Sequence, residues 1–276
     1  MTSGSEILPE QAVQLLDDLT AIVARASAVI QATSSDSVDR RLKPDSSPVT
    51  AADEASEAVI LKELARLLPK VPVISEEMAG SKAPPALDRS FIVVDPLDGT
   101  REFLAGRDEF TVNLAIVTRG VPIAGIIAAP RRDLVWRGVV GTKAERLRLL
   151  ADGAVEPRAI RTRCWPAQGA IAAVSRSHLD ARTEEFLSRL SPVTRSPSGS
   201  AIKFCQLADG TVDVYPRLAT TCEWDVAAGH ALVVAAGGIV TTPQGTALPY
   251  GRVAENFRVP AFIAWGDPTK AAAIGL

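Results

Sequence analysis

The stretch FIVVDPLDGT, residues 91–100, constrains the fold of this chain more than any other. Phe91, Ile92, Val93 and Val94 are apolar and mostly β-branched, which predicts a buried strand. The run then reaches Asp95 and Asp98, with Pro96 and Leu97 between them, and turns at Gly99 before Thr100. A carboxylate removed from water without a partner is strongly disfavoured, and here one strand end carries two. Whatever fold the chain adopts must bring positive charge to that strand end.

The bulk of the chain limits where that charge comes from. Of 276 residues 47% are hydrophobic, enough for a sizeable core in one large domain or two ordinary ones. Lys and Arg number 30 against 32 Asp and Glu, a net charge of −2, and no stretch is densely basic. Nucleic acid is therefore excluded as an expected partner, while a small anion needs only a local positive site. Cys164, Cys205 and Cys222 lack C-x-x-C spacing, which argues for a reducing compartment and against structural zinc. The opening MTSGSEILPE lacks the layout of a signal peptide, and the apolar stretch 226–240 is too short to span a bilayer. The expected location is cytoplasmic. Peripheral contact with the inner membrane needs no apolar anchor and is compatible with this sequence.

Periodicity predicts an amphipathic helix over 9–32, a polar loop over 33–49, and a second helix opening at Thr50 as N-cap. Strands are expected at 71–74 and 91–94, as a pair within 111–130 joined through Thr118, Arg119 and Gly120, and at 133–141. Residues 151–168, with Gly153, Pro157 and Pro166, read as a passage between an N-terminal half (1–150) and a C-terminal half (151–276). Beyond it come a strand at 169–175, helices at 179–190 and 201–209, a strand at 211–216, a small-residue helix at 224–237 and a closing strand at 260–265. The class is mixed α and β, with no repeat and no glycine-rich nucleotide loop.

Three segments with four carboxylates carry the chemistry: Glu76 in VPVISEEMAG, Asp95 and Asp98 in DPLDGT, and Asp225 in CEWDVAAGH. Glu76, Asp95 and Asp98 follow short apolar strands, and Asp225 opens a helix. Such oxygen-rich sets suit hard ions, Mg²⁺ or Mn²⁺, with the Leu97 carbonyl as a further donor. The Gly99 and Thr100 amides, next in the chain, are ready anion donors. Metal ligands beside an anion cradle describe a phosphate site. Taken singly, each segment has a plainer meaning: Asp-Gly a turn, SEE a solvated patch, Asp225 a helix cap. Their joint occurrence in this order is what the plainer meanings leave unexplained.

With upstream SPVTAAD and ISEE and downstream WDVAAGHALVVAAGG, the motif DPLDGT resembles the lithium-sensitive, magnesium-dependent phosphatases of the inositol monophosphatase superfamily. LKPDSSPVTAADEASE, DPLDGTREF, AVSRSH and YPRL…WDVAAGH are similar to its 3′(2′),5′-bisphosphate nucleotidases of the CysQ type, enzymes of sulfur metabolism. The resemblance implies an α+β fold, a layered αβαβα sandwich with the site between two halves. It implies one Mg²⁺ held by Glu76, Asp95 and the Leu97 carbonyl, a second held by Asp95, Asp98 and Asp225, and a looser third sharing Glu76. Thr100 and Asp53 would orient and deprotonate the attacking water, and Glu76 belongs with them in the catalytic set. Bound phosphate would touch Glu76, Leu97, Asp98, Gly99, Thr100 and Asp225. The implied substrate is a small phosphorylated nucleotide, adenosine 3′,5′-bisphosphate or its sulfated analogue, and the implied assembly a monomer or homodimer.

The uncleaved phosphate and the base need their own contacts. Lys203 and Arg217 fit that phosphate by charge, with Ser200 beside them, and His178 fits the base or a phosphate by hydrogen bonding. As isolated residues, Lys203 reads as solvated and Arg217 as cover for a turn. The related glycine-serine stretch reads GSSLK, whereas this chain has GSAIK, with Ala201 lacking a hydroxyl. Trp136, Trp165, Trp224 and Trp265 are expected in the core. Two rival readings remain. An inositol or sugar monophosphatase needs an acid reading hydroxyls upstream of the WD pair, and here only Glu223 stands near it. A non-catalytic nucleotide-binding relative predicts a damaged carboxylate set, and this set is complete.

Overall fold

The computed structural model describes residues 6–33, 41–42, 48–79, 87, 89–149, 155–176 and 180–273. In chain order its elements are α1 (Pro9–Ala32), the short pair β1 (Arg41–Leu42) and β2 (Pro48–Val49), α2 (Ala51–Leu67), β3 (Val73–Ser75), β4 (Ser90–Asp98) and α3 (Thr100–Leu104). There follow β5 (Thr111–Thr118), β6 (Val121–Ala129), β7 (Leu134–Val139), β8 (Lys143–Leu149), β9 (Val155–Ala159), β10 (Ala170–Ser175), α4 (Ala181–Arg189) and β11 (Val193–Ser198). The chain closes with α5 (Ile202–Ala208), β12 (Val214–Arg217), β13 (Thr221–Cys222), α6 (Glu223–Ala235), β14 (Ile239–Thr241), β15 (Arg258–Val259), β16 (Phe262–Trp265) and α7 (Pro268–Ala273).

β3 to β9 form a seven-stranded sheet in sequence order, and a five-stranded sheet runs β11-β10-β12-β16-β14. Alternation along β4 explains the layering. Ile92 and Val94 pack with α1 and α2 residues such as Leu19, Val23 and Ile60. Phe91 and Val93 face the opposite way, into a core shared with α5 and α6. Successive strand residues point to opposite faces, so a strand covered on both sides reads as a continuous apolar run. Phe186 and Leu187 of α4 close the outer face of the second sheet against Val214 and Trp265. The result is the expected α+β sandwich, αβαβα. Helix α6 lies so close to the first sheet that a Cβ on Gly125 would stand 2.1 Å from the Ala228 carbonyl oxygen. That approach explains the small-residue composition of α6.

Besides the two-residue strands β1, β2, β13 and β15, four strands of the two large sheets escape the sequence reading. β9 occupies part of the stretch read as a passage and pairs antiparallel with β8. β8, β11 and β14 are the others; β9, β11 and β14 lie at sheet edges, and β9 and β11 are mostly exposed. An edge strand that buries little carries no apolar run to reveal it. Trp136 and Trp265 are buried as expected, while Trp165 and Trp224 are partly buried against the cores. Among the described residues no helix is long and apolar enough to cross a membrane.

Candidate active site

In a regular strand, residues three apart point to opposite faces, so Asp95 and Asp98 would diverge. β4 avoids this. Asp95 pairs with Asn113 and Asp98 with Thr111, so β4 carries one residue more than β5 in this interval. Such a bulge turns the later side chain back to the side of the earlier one. Pro96, which has no N–H to offer the ladder, sits in the bulge. The Leu97 N–H is taken by Asp95 Oδ1 at 3.0 Å. The Leu97 carbonyl stays near the site, accepting from Thr100 Oγ1 at 3.3 Å, while its side chain is in the core.

Two helices deliver Asp53 and Asp225 by one local device. In α2, Thr50 is the N-cap and Asp53 stands at the third position. Asp53 Oδ2 accepts from the Thr50 N–H at 2.8 Å and the Thr50 hydroxyl at 2.6 Å. This leaves Oδ1 for the Thr100 hydroxyl, 3.2 Å away. In α6, Asp225 holds the same position, its Oδ2 accepting from the Cys222 N–H at 3.0 Å and from the Thr221 hydroxyl. The plainer reading of Asp225 as a cap is thus correct, and the cap also aims the residue. Oxygens of Asp95, Asp98 and Asp225 lie within 4.8 Å of one another.

Glu76 follows β3, and its N–H continues the pairing to the Val94 carbonyl at 3.2 Å. Its carboxylate lines the same cavity as Asp98 and Asp225. Gly99 adopts a left-handed conformation, φ 93°, and a Cβ there would meet the Glu109 carbonyl oxygen at 3.1 Å. The glycine is therefore required by the backbone beside it as well as by the turn.

Burial, followed by the charges of Glu76, Asp98, Asp225 and Asp53, raises the Asp95 carboxyl well above the usual carboxylate range. Burial and then Asp225 push Asp98 up to about 6, against the opposing pull of Lys203, the Ala201 N–H and Arg217. Carboxylates that repel one another in a dry site create a demand for cations. All the donors in this group are hard oxygens, so the chemistry of the set fits a divalent metal.

The cavity holds about 300 Å³ and is also lined by Ser200, Lys203, Tyr215 and Arg217. Lys203 is 2% exposed, so the reading of it as a solvated lysine is corrected. Its Nζ donates to the Ser200 carbonyl at 2.6 Å and the Ser198 carbonyl at 3.3 Å, and lies 5.3 Å from the Tyr215 ring centre. Arg217 is half-buried, and its Nε has no hydrogen-bond partner among the described residues. Ala201 packs into the core, so the hydroxyl that GSAIK lacks would not line the cavity. His178 lies outside the described residues. Arg101, Glu102, Ser175, Gly199 and Tyr215 also line the cavity and were not singled out from the sequence. Arg101 and Glu102 were signalled by their place directly after DGT, whereas Tyr215 reads as an ordinary strand residue.

Residues 11–265 match the inositol monophosphatase family. The 3′(2′),5′-bisphosphate nucleotidase CysQ of Salmonella typhimurium is 39% identical over 225 residues, 80% of this chain and 86% of that protein. The CysQ of Escherichia coli strain K12 gives the same identity and coverage. The crystal structure of CysQ from Bacteroides thetaiotaomicron, a bacterial member of the inositol monophosphatase family, superposes with a TM-score of 0.73 at 31% identity. That match covers 90% of this chain and 96% of the other.

Proposed function

This chain belongs to the inositol monophosphatase family, a phosphatase of that superfamily, and from that premise we propose that it removes the 3′-phosphate of adenosine 3′,5′-bisphosphate with Mg²⁺. One observation carries the choice of substrate. The cavity is lined by a carboxylate cluster and, within electrostatic reach of Asp98, by two cations, Lys203 and Arg217. A monophosphate needs only the first; a bisphosphate uses both. The relatives named 3′(2′),5′-bisphosphate nucleotidase support the same reading.

Glu76, Asp95, the Leu97 carbonyl, Asp98 and Asp225 would hold two or three Mg²⁺ ions, with Mn²⁺ as a substitute. Bound there, such ions supply Lewis acidity that strengthens water as a nucleophile and offsets charge on the phosphoryl and leaving oxygens. The protein's own groups do the rest. Thr100 Oγ1, anchored to Asp53 Oδ1, orients the attacking water, and the proton passes toward Asp53. The Gly99 and Thr100 amides hold phosphoryl oxygens. Arg217 pairs with the uncleaved phosphate, and Ser200 bonds beside it.

The test is phosphate release from adenosine 3′,5′-bisphosphate, its sulfated analogue and inositol 1-phosphate, each with Mg²⁺, Mn²⁺ or chelator. The expected result is a kcat/KM for the bisphosphate far above that for inositol 1-phosphate, abolished by chelator. A preference for inositol 1-phosphate, or turnover undiminished by chelator, would overturn the reading.

A further inference from the structure

Glu109 belongs to none of the motifs discussed above, yet it touches both sides of the site. It lies between α3 and β5 and is 8% exposed. Its backbone is wedged between two glycines. A Cβ on Gly99 would meet the Glu109 carbonyl oxygen at 3.1 Å, and one on Gly199 would meet it at 2.7 Å. Its carboxylate is fully used. Oε2 accepts from Arg176 Nε at 2.7 Å and from the Gly199 N–H at 3.0 Å, and Oε1 accepts from Arg176 Nη2 at 2.6 Å.

Arg176 extends the grip. Its Nη2 also donates to the Pro197 carbonyl at 2.9 Å, and its N–H to the Ser198 carbonyl at 3.2 Å. Lys203 takes the Ser198 and Ser200 carbonyls from the interior. The backbone of residues 197–200 is therefore held by three charged side chains, two of which, Glu109 and Arg176, are locked to each other by a planar bidentate pair. Within this loop Ser200 stands at φ 43°, in the left-handed region that a side chain rarely adopts. A free loop would relax from that conformation, and the hold keeps Ser200 at the cavity wall.

We propose that Glu109 is a positioning residue: it fixes the loop 197–200 against the carboxylate turn 98–100 and so sets the affinity for a doubly phosphorylated substrate. The substrate part rests on the nucleotidase reading above. The loop carries Ser200 at the cavity wall, whereas Asp95 and Asp225 are held by other elements and Asp98, which also meets the Ala201 N–H, is held by Thr111 and Asn113 of β5. Loosening it should weaken binding more than turnover at saturation.

The experiment uses the full chain with Glu109→Gln and Arg176→Lys, the second keeping the charge but losing the bidentate fork. Hydrogen exchange at the amides of 198–203, thermal melting, and kcat and KM for adenosine 3′,5′-bisphosphate and inositol 1-phosphate are measured in each. Expected are faster exchange at Gly199 and Ser200 and a KM for the bisphosphate raised about tenfold, with a smaller change in kcat. Inositol 1-phosphate should be affected little. Unchanged exchange at 198–203 in both variants would overturn the proposal, as would an equal loss of kcat on both substrates with KM unmoved. If the wild type fails to use the bisphosphate, the reading of the substrate falls, and exchange in a variant that still melts cooperatively decides whether Glu109 holds the loop.

Discussion

Thr100 Oγ1 stands 3.2 Å from Asp53 Oδ1, although 47 positions separate the two residues. Each is set by its own helix start, and the helices are joined through β4. Ser56 in α2 donates to the Pro96 carbonyl at 2.7 Å, tying the first turns of α2 to the bulge from which α3 springs. The distance between the two oxygens is thus fixed by backbone contacts on both sides.

That arrangement predicts a separation of kinetic effects. Thr100→Ala and Asp53→Ala should lower kcat far more than they raise KM, because orientation of water matters mainly in the transition state. Asp53→Ala should also lower the melting temperature, since Thr50 loses its charged acceptor, a cap interaction of about 1 kcal/mol. Steady-state kinetics and thermal melting of both variants check this. A rise in KM alone would assign these residues to substrate binding.

Asp98→Asn should keep the fold and lower kcat by at least ~10²-fold, since it removes a ligand charge where cations are needed. The measurement is turnover against Mg²⁺ concentration. Wild-type turnover by a folded variant at ordinary Mg²⁺ would reject the role of Asp98 as a ligand.

The raised carboxyls make stability depend on pH in a definite direction. Asp98 rises to about 6 in the folded protein, so between its ordinary value and 6 the folded state keeps a proton that the unfolded state has lost. Stability from this group therefore falls as pH rises through that window and stays low above it. Asp95 acts in the same direction. In chelator, Asp98→Asn should melt above the wild type at pH 8, with the gap closing toward pH 4. Added Mg²⁺ should reverse the order at pH 8. Melting curves with identical gaps at both pH values would show that Asp98 carries no such repulsion.

Lys203 and Arg217 should behave differently despite their shared charge. Arg217→Ala should reduce kcat/KM for adenosine 3′,5′-bisphosphate by about 10- to 100-fold and spare inositol 1-phosphate, as loss of a charge-assisted bond requires. Lys203→Ala removes the Nζ donor from the Ser200 carbonyl and one of two donors from the Ser198 carbonyl, which keeps the Arg176 N–H; a group left unsatisfied costs about 1–3 kcal/mol. The substitution should therefore lower the melting temperature as well as affinity. Equal thermal and kinetic profiles for the two variants would mean that both cations serve the fold alone.

Much of the fold was legible in the chain because burial leaves a periodic mark. α1 and α2 announce themselves by helical spacing and by Thr50, and β4 by an apolar run that only a strand covered on both faces needs. The carboxylates were legible for a related reason: Asp95, Asp98 and Asp225 each interrupt apolar surroundings, and Asp53 stands in a recognisable capping position. β9 and β11 left no such mark, because these edge strands bury too little to demand apolar residues, and β14 is only three residues long. Glu109 and Tyr215 were silent as well, since a lone acid in a loop and a tyrosine in a strand have many ordinary uses. What the sequence by itself determined is which residues are costly to bury and which local turns present them. Only the tertiary structure decided that those turns meet: the bulge at Pro96 and Leu97 turns Asp98 to the side of Asp95, α6 packs closely over Gly125, and Glu109 lies between Gly99 and Gly199. Those contacts join residues far apart in the chain, and their geometry depends on how the layers pack, which local sequence does not encode.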